Sequence, residues 1–348
     1  MANIFKLPFI LFILSSCLTC CKSKSNWTEV LGIGLPDHDE TYNKLHFVDE
    51  RTGFIGGSHL TLLKSTIQKI NFQRNAVLYK TRDQGKTWDQ IKLPFLGSVE
   101  DIYNFNDTII LKIINDANDT TLFVRSSNMT NWEKLLAFSN GYKVIEMEFE
   151  NSKNGRLLIT NNSNHYLLKY HDNKIDTLRH LDGYFPFALL GEDVISLNTF
   201  ASSDYFTGYT VVNQNSESKT EFKFDANYNV YSHTKYKDTL FLAVNKKDSN
   251  LILKLTKNGF VKIFYDKFSN YVFTEILVSG NKIMSIGNRL DEVGPIGVIN
   301  SFFVSNDGGL TWDKENLPSP MCIEAPTIYK DIFFISASCP PGFFQIRK

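Results

Sequence analysis

Apolar and polar residues alternate along most of this chain in short runs, each ended by a polar break. Phe, Tyr, Ile, Val, Leu and Thr fill the runs. Asn, Asp, Gly, Ser and Lys fill the breaks. A period of two is the pattern of a half-buried β-strand, and no long amphipathic helix pattern interrupts it. The runs fall into groups of four. The first group covers residues 44–49, 53–57, 76–81 and 88–93. The second covers 102–105, 108–114, 121–125 and 132–138, and the third 144–149, 156–160, 166–170 and 175–179. The fourth covers 187–190, 194–198, 209–212 and 220–224, and the fifth 230–236, 239–244, 251–255 and 260–265. The sixth covers 273–278, 282–286, 301–304 and 312–316. A seventh group, 328–330, 332–336 and 343–346, is one run short when the chain stops, and the run 27–31 stands unassigned at the other end.

The break between the third and fourth runs carries the strongest local signal. Thr81-Arg82-Asp83-Gln84-Gly85-Lys86-Thr87-Trp88 and Ser305-Asn306-Asp307-Gly308-Gly309-Leu310-Thr311-Trp312 share one pattern, Ser/Thr-x-Asp-x-Gly-x-Thr-Trp. They lie about 224 residues apart, close to five periods of about 45. Ser126 to Trp132 is a degraded copy. Polar turns at 170–174, 213–216 and 256–259 mark the stations between. In such a turn the carboxylate accepts bonds from turn N–H groups. The glycine takes a positive φ, the threonine hydroxyl pins the loop, and the tryptophan ring is buried as the next strand starts.

These eight residues resemble the Asp-box (BNR) hairpin of sialidase-like β-propellers. They and the opening 45–57 (LHFVDERTGFIGG) are similar to the repeat of photosystem II assembly-factor-like (Ycf48-like) propellers. The resemblance implies an all-β fold of four-stranded blades. Seven blades are expected, with six or eight as alternatives, and residues 27–31 supply the missing last strand of the final blade. It also implies that Asp83, Gly85, Thr87, Trp88, Asp307, Gly309, Thr311 and Trp312 are structural and lie away from a functional centre. The resemblance spans residues 27–348 through the repeat, while the specific motif occupies two groups.

Charge narrows the function. The 348 residues carry 37 Lys and Arg against 37 Asp and Glu, so no basic excess marks a nucleic-acid surface. A sialidase would need three converging arginines, a Tyr–Glu pair and an Asp acid. The arginines here (Arg51, Arg74, Arg82, Arg125, Arg156, Arg179, Arg289 and Arg347) are few, and several follow strands or sit in the boxes. No phosphate loop, zinc spacing or nucleophile elbow occurs. No catalytic residue, metal site or cofactor is therefore expected; the run Asp37-His38-Asp39-Glu40 reads as a solvated loop rather than a metal site.

At the N-terminus, Lys6 precedes the apolar stretch 7–14 (LPFILFIL), too short to span a bilayer. It runs into Leu14-Ser15-Ser16-Cys17, which resembles a bacterial lipobox. A lipoprotein signal at 1–16, a lipidated Cys17 and a tether over 17–26 are expected, with an ordinary cleaved signal peptide as the alternative. A lipid anchor of several acyl chains holds stably to a membrane. This places the chain in a bacterial cell envelope, on the periplasmic side of the outer membrane. Cys322 and Cys339 fall on connections at one end of the fold, and an oxidising compartment favours a disulfide between them, contributing roughly 3 kcal/mol.

Long connections on a rigid scaffold carry binding. Residues 58–75, 199–208 and 287–300 read as long loops at the end opposite the boxes, joined there by 36–43. The candidate binding face comprises His38, His59, Arg74, Arg289, Asp291 and Glu292. The expected function is a monomeric, non-enzymatic extracytoplasmic scaffold for an envelope protein. A glycan-binding or glycan-hydrolysing protein is the alternative.

Overall fold

The computed structural model describes residues 27–347, except 36–39, 67–68, 116–118, 140, 163, 182–185, 200–204, 217, 247–248, 267–270, 295–296, 316–321 and 340. Among the described residues there are strands and turns but no helix.

The chain opens with β1 (Trp27–Leu31). It then builds a sheet from β2 (Glu40–Phe47), β3 (Gly53–Thr66), β4 (Lys69–Thr81) and β5 (Asp89–Ile91). A second sheet takes β6 (Ser98–Phe105), β7 (Thr108–Asn115), β8 (Thr120–Ser126) and β9 (Glu133–Phe138). A third takes β10 (Tyr142–Asn151), β11 (Asn154–Asn161), β12 (Asn164–His171) and β13 (Lys174–His180). The next sheet has seven strands: β14 (Pro186–Leu190), β15 (Asp193–Thr199), β16 (Phe206–Asn213), β17 (Lys219–Tyr236), β18 (Thr239–Lys246), β19 (Ser249–Thr256) and β20 (Gly259–Asp266). Then come β21 (Tyr271–Ser279), β22 (Lys282–Gly294), β23 (Gly297–Ser305) and β24 (Asp313–Glu315). In the last sheet β25 (Cys322–Tyr329), β26 (Ile332–Cys339) and β27 (Pro341–Arg347) are joined by β1, which pairs antiparallel with β27 from Trp27 opposite Arg347 to Leu31 opposite Phe343.

Apart from the β1–β27 pair, neighbouring strands within each sheet follow one another in sequence and all pairs are antiparallel, so short turns suffice. His171-Asp172-Asn173-Lys174 shows the local cause. Asp172 and Asn173 adopt φ of 44° and 66°, the left-handed values of a two-residue hairpin loop, and both residue types tolerate them.

The sheets bury their faces on one another in order. Phe54, Ala76 and Leu78 pack on Val99, Ile109 and Leu111, joining the first sheet to the second. Phe123 and Leu136 meet Phe149 and Leu157, the second on the third. Leu158 and Leu167 meet Leu189 and Val194, and Phe241 and Ile252 meet Phe273 and Phe303. Met284 and Phe302 meet Trp27, Phe333 and Ile335 of the last sheet. That sheet returns to the first through Phe334 and Ile346 against Leu45, Ile55 and Tyr79. Phe47 and Phe334 stack there at 3.7 Å between centroids.

The structure departs from the sequence reading at several connections: Glu40–Asn43 of the 36–43 link, and Cys322 and Cys339, lie in strands. Residues 58–75 and 287–300 are not loops: β3 and β4 run on as a paired ribbon to Thr66 opposite Lys69, and β22 and β23 to Gly294 opposite Gly297. The runs 220–224 and 230–236 are not separate strands either. They are the two halves of β17, the first pairing with β16 and the second with β18.

Candidate ring-end surface

The box turns sit where third strands pass to fourth ones. Asp83 Oδ1 and Oδ2 accept from Thr87 N at 2.8 Å and Thr87 Oγ1 at 2.7 Å. Thr81 Oγ1 accepts from Gly85 N at 2.9 Å. Asp307 repeats this with Thr311 N at 2.9 Å and Thr311 Oγ1 at 2.6 Å, and Ser305 Oγ accepts from Gly309 N at 2.8 Å. Gly85 and Gly309 adopt φ of 86° and 97°, conformations that a Cβ would strain. Trp88 Nε1 donates to Gly85 O at 2.8 Å and Trp312 Nε1 to Gly309 O at 3.1 Å. The Thr311 hydroxyl, with the backbone of Thr311, brings the Asp307 carboxyl down to about 2. For Asp83 burial pushes upward, and the Thr87 bonds outweigh it and hold the carboxyl below its usual range. Each carboxylate accepts from residues of its own turn, which makes it a local brace.

At the opposite end of the sheets, where second strands pass to third ones, a different group assembles. Glu40 opens β2 directly opposite His59 of β3. Its side chain is 4 % exposed; it accepts from Tyr79 Oη at 2.8 Å and Tyr42 Oη at 2.9 Å, and His59 Nδ1 stands 3.9 Å away. Burial raises the Glu40 carboxyl above its usual range, the two tyrosines and His59 offsetting part of that. Burial and the Glu40 bond push the Tyr79 phenol upward. A buried tyrosine held protonated in this way is a poor nucleophile. The polar row continues out along the ribbon: Asn75 Nδ2 donates to Thr61 Oγ1 at 3.0 Å, and Gln73 Nε2 to Asn75 Oδ1 at 3.0 Å.

The first strands of the sheets carry charges toward one another. Lys44 of β2 pairs with Asp101 of β6 at 2.9 Å, and Tyr103 Oη donates to the same carboxylate at 2.9 Å. Lys235 of β17 reaches past β14 to β10, where it meets Glu148 at 2.6 Å and Glu146 at 3.7 Å. Arg156 binds the other oxygen of Glu148, and Leu189 N donates to Glu146. Glu275 of β21 accepts from Ser232 Oγ at 3.2 Å. Burial raises Glu146 and Glu275, each partly offset by a lysine, Lys235 and Lys44 respectively. Asp101 is also raised by burial, but Lys44 and Tyr103 outweigh that and leave it low. Burial lowers His233 and brings His46 down to about 4, so both imidazoles are neutral near pH 7. Contacts running from β2 to β6, from β17 to β10 and β21, and from β14 to β10 place these strands along a common interior where both signs of charge meet.

Of the six residues expected to form a binding face, the structure places His59 and Arg74 on the β3–β4 ribbon. They fall on opposite faces of it, because their positions differ in parity. Arg289, Asp291 and Glu292 belong to the β22 extension, and only their backbone is described. His38 and Cys17 lie outside the described residues. Cys322 and Cys339 are Cα partners across β25 and β26, their side chains also undescribed. Among the described residues no group of three His, Cys, Asp or Glu is placed to hold a metal ion. Sequence reasoning missed Glu40 with its tyrosines and the axial charges. The available signal was a charged residue in or just before five of the first runs: Lys44, Asp101, Glu146, Lys235 and Glu275.

No protein-family model matches this chain, and no curated protein matches it in sequence. Solved structures do. The chain is similar to Ycf48 bound to a D1 peptide, with TM-score 0.61, 12 % identity, and 93 % of this chain and 96 % of that one covered. It is similar to Ycf48 from Cyanidioschyzon merolae, with TM-score 0.56 and 12 % identity over 92 % and 98 % of the two chains. It is also similar to the β-propeller domain of the Trilobed protease from Pyrococcus furiosus, with TM-score 0.57 and 6 % identity over 87 % and 93 %. The fold is thus a β-propeller. More particularly, it is a propeller of the kind Ycf48 adopts.

Proposed function

We propose that this protein is a non-enzymatic, extracytoplasmic scaffold that binds a protein partner at the ring end bearing the two ribbons. The observation that carries this reading is the placing of the β3–β4 and β22–β23 ribbons. Both leave the end opposite the box turns, from the sheets on either side of β1 and β25–β27. Long elements on a rigid scaffold are where recognition concentrates. Ycf48, solved with a D1 peptide, supports a propeller of this shape as a protein-binding body, although fold alone does not fix function.

The same reading takes the seven-stranded sheet as two blades sharing β17. This makes seven blades, and the pairing of β1 with β27 closes the ring and removes a sheet edge. It keeps the eight box residues as Asp-box-type braces. It takes residues 27–348 as one propeller domain and 1–16 as a lipoprotein signal. Cys17 is then the lipid anchor, on the periplasmic side of the outer membrane, and the propeller is a monomer. A cross-strand pair has Cα atoms about 4.5–5.5 Å apart, within the range a disulfide spans, and this supports a Cys322–Cys339 bridge as a staple of the closing blade.

In-cell crosslinking of the lipidated chain, with affinity capture and mass spectrometry, tests the reading. A control carries alanine at His59, Arg289, Asp291 and Glu292. One protein recovered with the wild type and lost in the control is the expected result. Retention of glycan without a protein would overturn the scaffold reading in favour of carbohydrate binding. A partner kept by the control would refute the choice of face.

A further inference from the structure

A β-bulge stands at one station in the strands that line the interior. Between Tyr42 and Lys44 of β2, the partner β3 advances by one residue while β2 advances by two, so Asn43 is extra. The same shift makes Glu100 extra in β6, Phe187 in β14, Tyr231 in the second half of β17 and Thr274 in β21. β10 and β25 carry it too, after Val144 and Glu324. A bulge bends its strand and re-aims the extra side chain. Repeated at one station from strand to strand, it sets a level across the interior, and contacts fix that level. The extra Asn43 donates to the extra Glu100 at 2.6 Å, and the residues that follow them, Lys44 and Asp101, pair at 2.9 Å. Ser232 Oγ and Glu275, which follow the extra Tyr231 and Thr274, meet at 3.2 Å. The extra Phe187 lies 4.4 Å from His233, centroid to centroid.

Water reaches this level. Glu275 and His233 are exposed, yet the strands around them desolvate both, raising the carboxyl and lowering the imidazole. A group that is both wet and desolvated lines a concavity. Charge there is unequal. At the bulges and the residues that follow them stand Lys44 and four acids, Glu100, Asp101, Glu146 and Glu275. Lys44 is held by Asp101, Lys235 reaches Glu146, and the Asn43 amide holds Glu100. Among the described residues Glu275 accepts from Ser232 alone, and the cation that acts on it is the same Lys44. Next to Ser232 in the chain, Tyr231 leaves 46 % of its surface exposed. A carboxylate without its own cation, beside a hydroxyl and aromatic surface, matches an ammonium or guanidinium group. It does not match a metal ion, for which no group of three His, Cys, Asp or Glu is placed among the described residues.

We infer that this level receives a cationic side chain, lysine or arginine, of the bound protein, with Glu275 as its counter-ion and Ser232 and Tyr231 beside it. This rests on the scaffold reading above. β2 enters from the ribbon end at Glu40, opposite His59, and Lys44 stands four residues further in, a depth of about 13 Å. A partner seated on that end therefore has the level beneath it.

Saturation-transfer NMR on the full lipidated chain in detergent tests the site, with Nα-acetyl-lysine methylamide and Nα-acetyl-arginine methylamide as probes and the uncharged Nα-acetyl-norleucine methylamide as control. Saturable transfer to the two cations and none to norleucine is the expected result. Glu275→Gln should weaken the cations about ten-fold, and Tyr231→Ala about two- to five-fold, with the melting temperature unchanged. If Glu275→Gln melts early, Tyr231→Ala and the norleucine comparison decide. In cells, a photoreactive amino acid at 231 should capture the same protein as one at Gln73, and Glu275→Gln should remove the adduct at 231. Equal transfer to norleucine, or cation binding that neither variant moves, would overturn the inference. So would cation binding with an adduct at 73 and none at 231, which would assign the level to a free amine and leave the scaffold reading standing. An adduct from neither position sinks the scaffold reading itself, and with it the protein origin of the cation.

Discussion

Asp307 shows what a single residue contributes. Its carboxylate accepts from Ser305, Leu310 and Thr311 of its own turn, and the bonds from Thr311 bring it to about 2. A group held below its unfolded value, about 3.9, adds stability above that value and loses it as pH falls through about 2. Asp307→Asn should therefore melt below the wild type at neutral pH, and the gap should shrink between about pH 4 and 2. Thermal melts across that range check it; a gap independent of pH would contradict the ionised brace. Arg347 is the buried counterpart. At 5 % exposure it donates to Glu315 at 2.9 and 2.8 Å, and Trp27 Nε1 donates to the same carboxylate at 3.0 Å. This clasp joins β24, β27 and the residue that opens β1. Arg347→Met leaves Glu315 buried without its cation and should cost about 3–5 kcal/mol in urea unfolding. A loss below about 1 kcal/mol would mean an exposed-type pair.

At the scale of the element, the ribbons matter most. Replacing residues 61–73 with Asn-Gly should leave the melting temperature unchanged, because the removed side chains of the described residues are largely exposed and Leu60 opposite Arg74 can carry a tight turn. The same variant should lose the protein partner captured by crosslinking, as the proposed function requires. A large fall in melting temperature would show the ribbon to be part of the core. The strands that pack between sheets were legible in the sequence because their alternation is regular: Thr108 to Ile114 and Thr239 to Val244 read as strands and are strands. The ribbons were not, because the extra residue at Leu62/Lys64 flips the parity and erases the period of two. The join inside β17 was hidden differently. Asp225-Ala226-Asn227 reads as a break, yet the strand runs on through it, with Tyr228 Oη donating to Asp225 at 2.7 Å. The candidate surface was legible only as a choice of end. His59 could be named, but its partner Glu40 could not, since that pairing is set by strand register.

For the whole molecule, closure is the central physical issue. The last sheet is completed by the earliest described segment, and Trp27, 5 % exposed, packs its ring on Phe302 at 5.1 Å from the neighbouring sheet. Trp27→Ala should cost about 3–5 kcal/mol. It should also speed amide exchange along both β1 and β27 together; exchange confined to β1 would show that the ring does not depend on that strand. The sheets pack on one another in order, the last returning to the first, and the two ends differ: braced turns on one, ribbons and the Glu40–His59 group on the other. The most direct test of that division is photocrosslinking in living cells, with a photoreactive amino acid placed at Gln73 on the polar face of the ribbon or at Leu310 in a box turn. One protein adduct from position 73 and none from 310 is the predicted result. The same adduct from 310, or none from 73, would contradict a scaffold that works through its ribbon end.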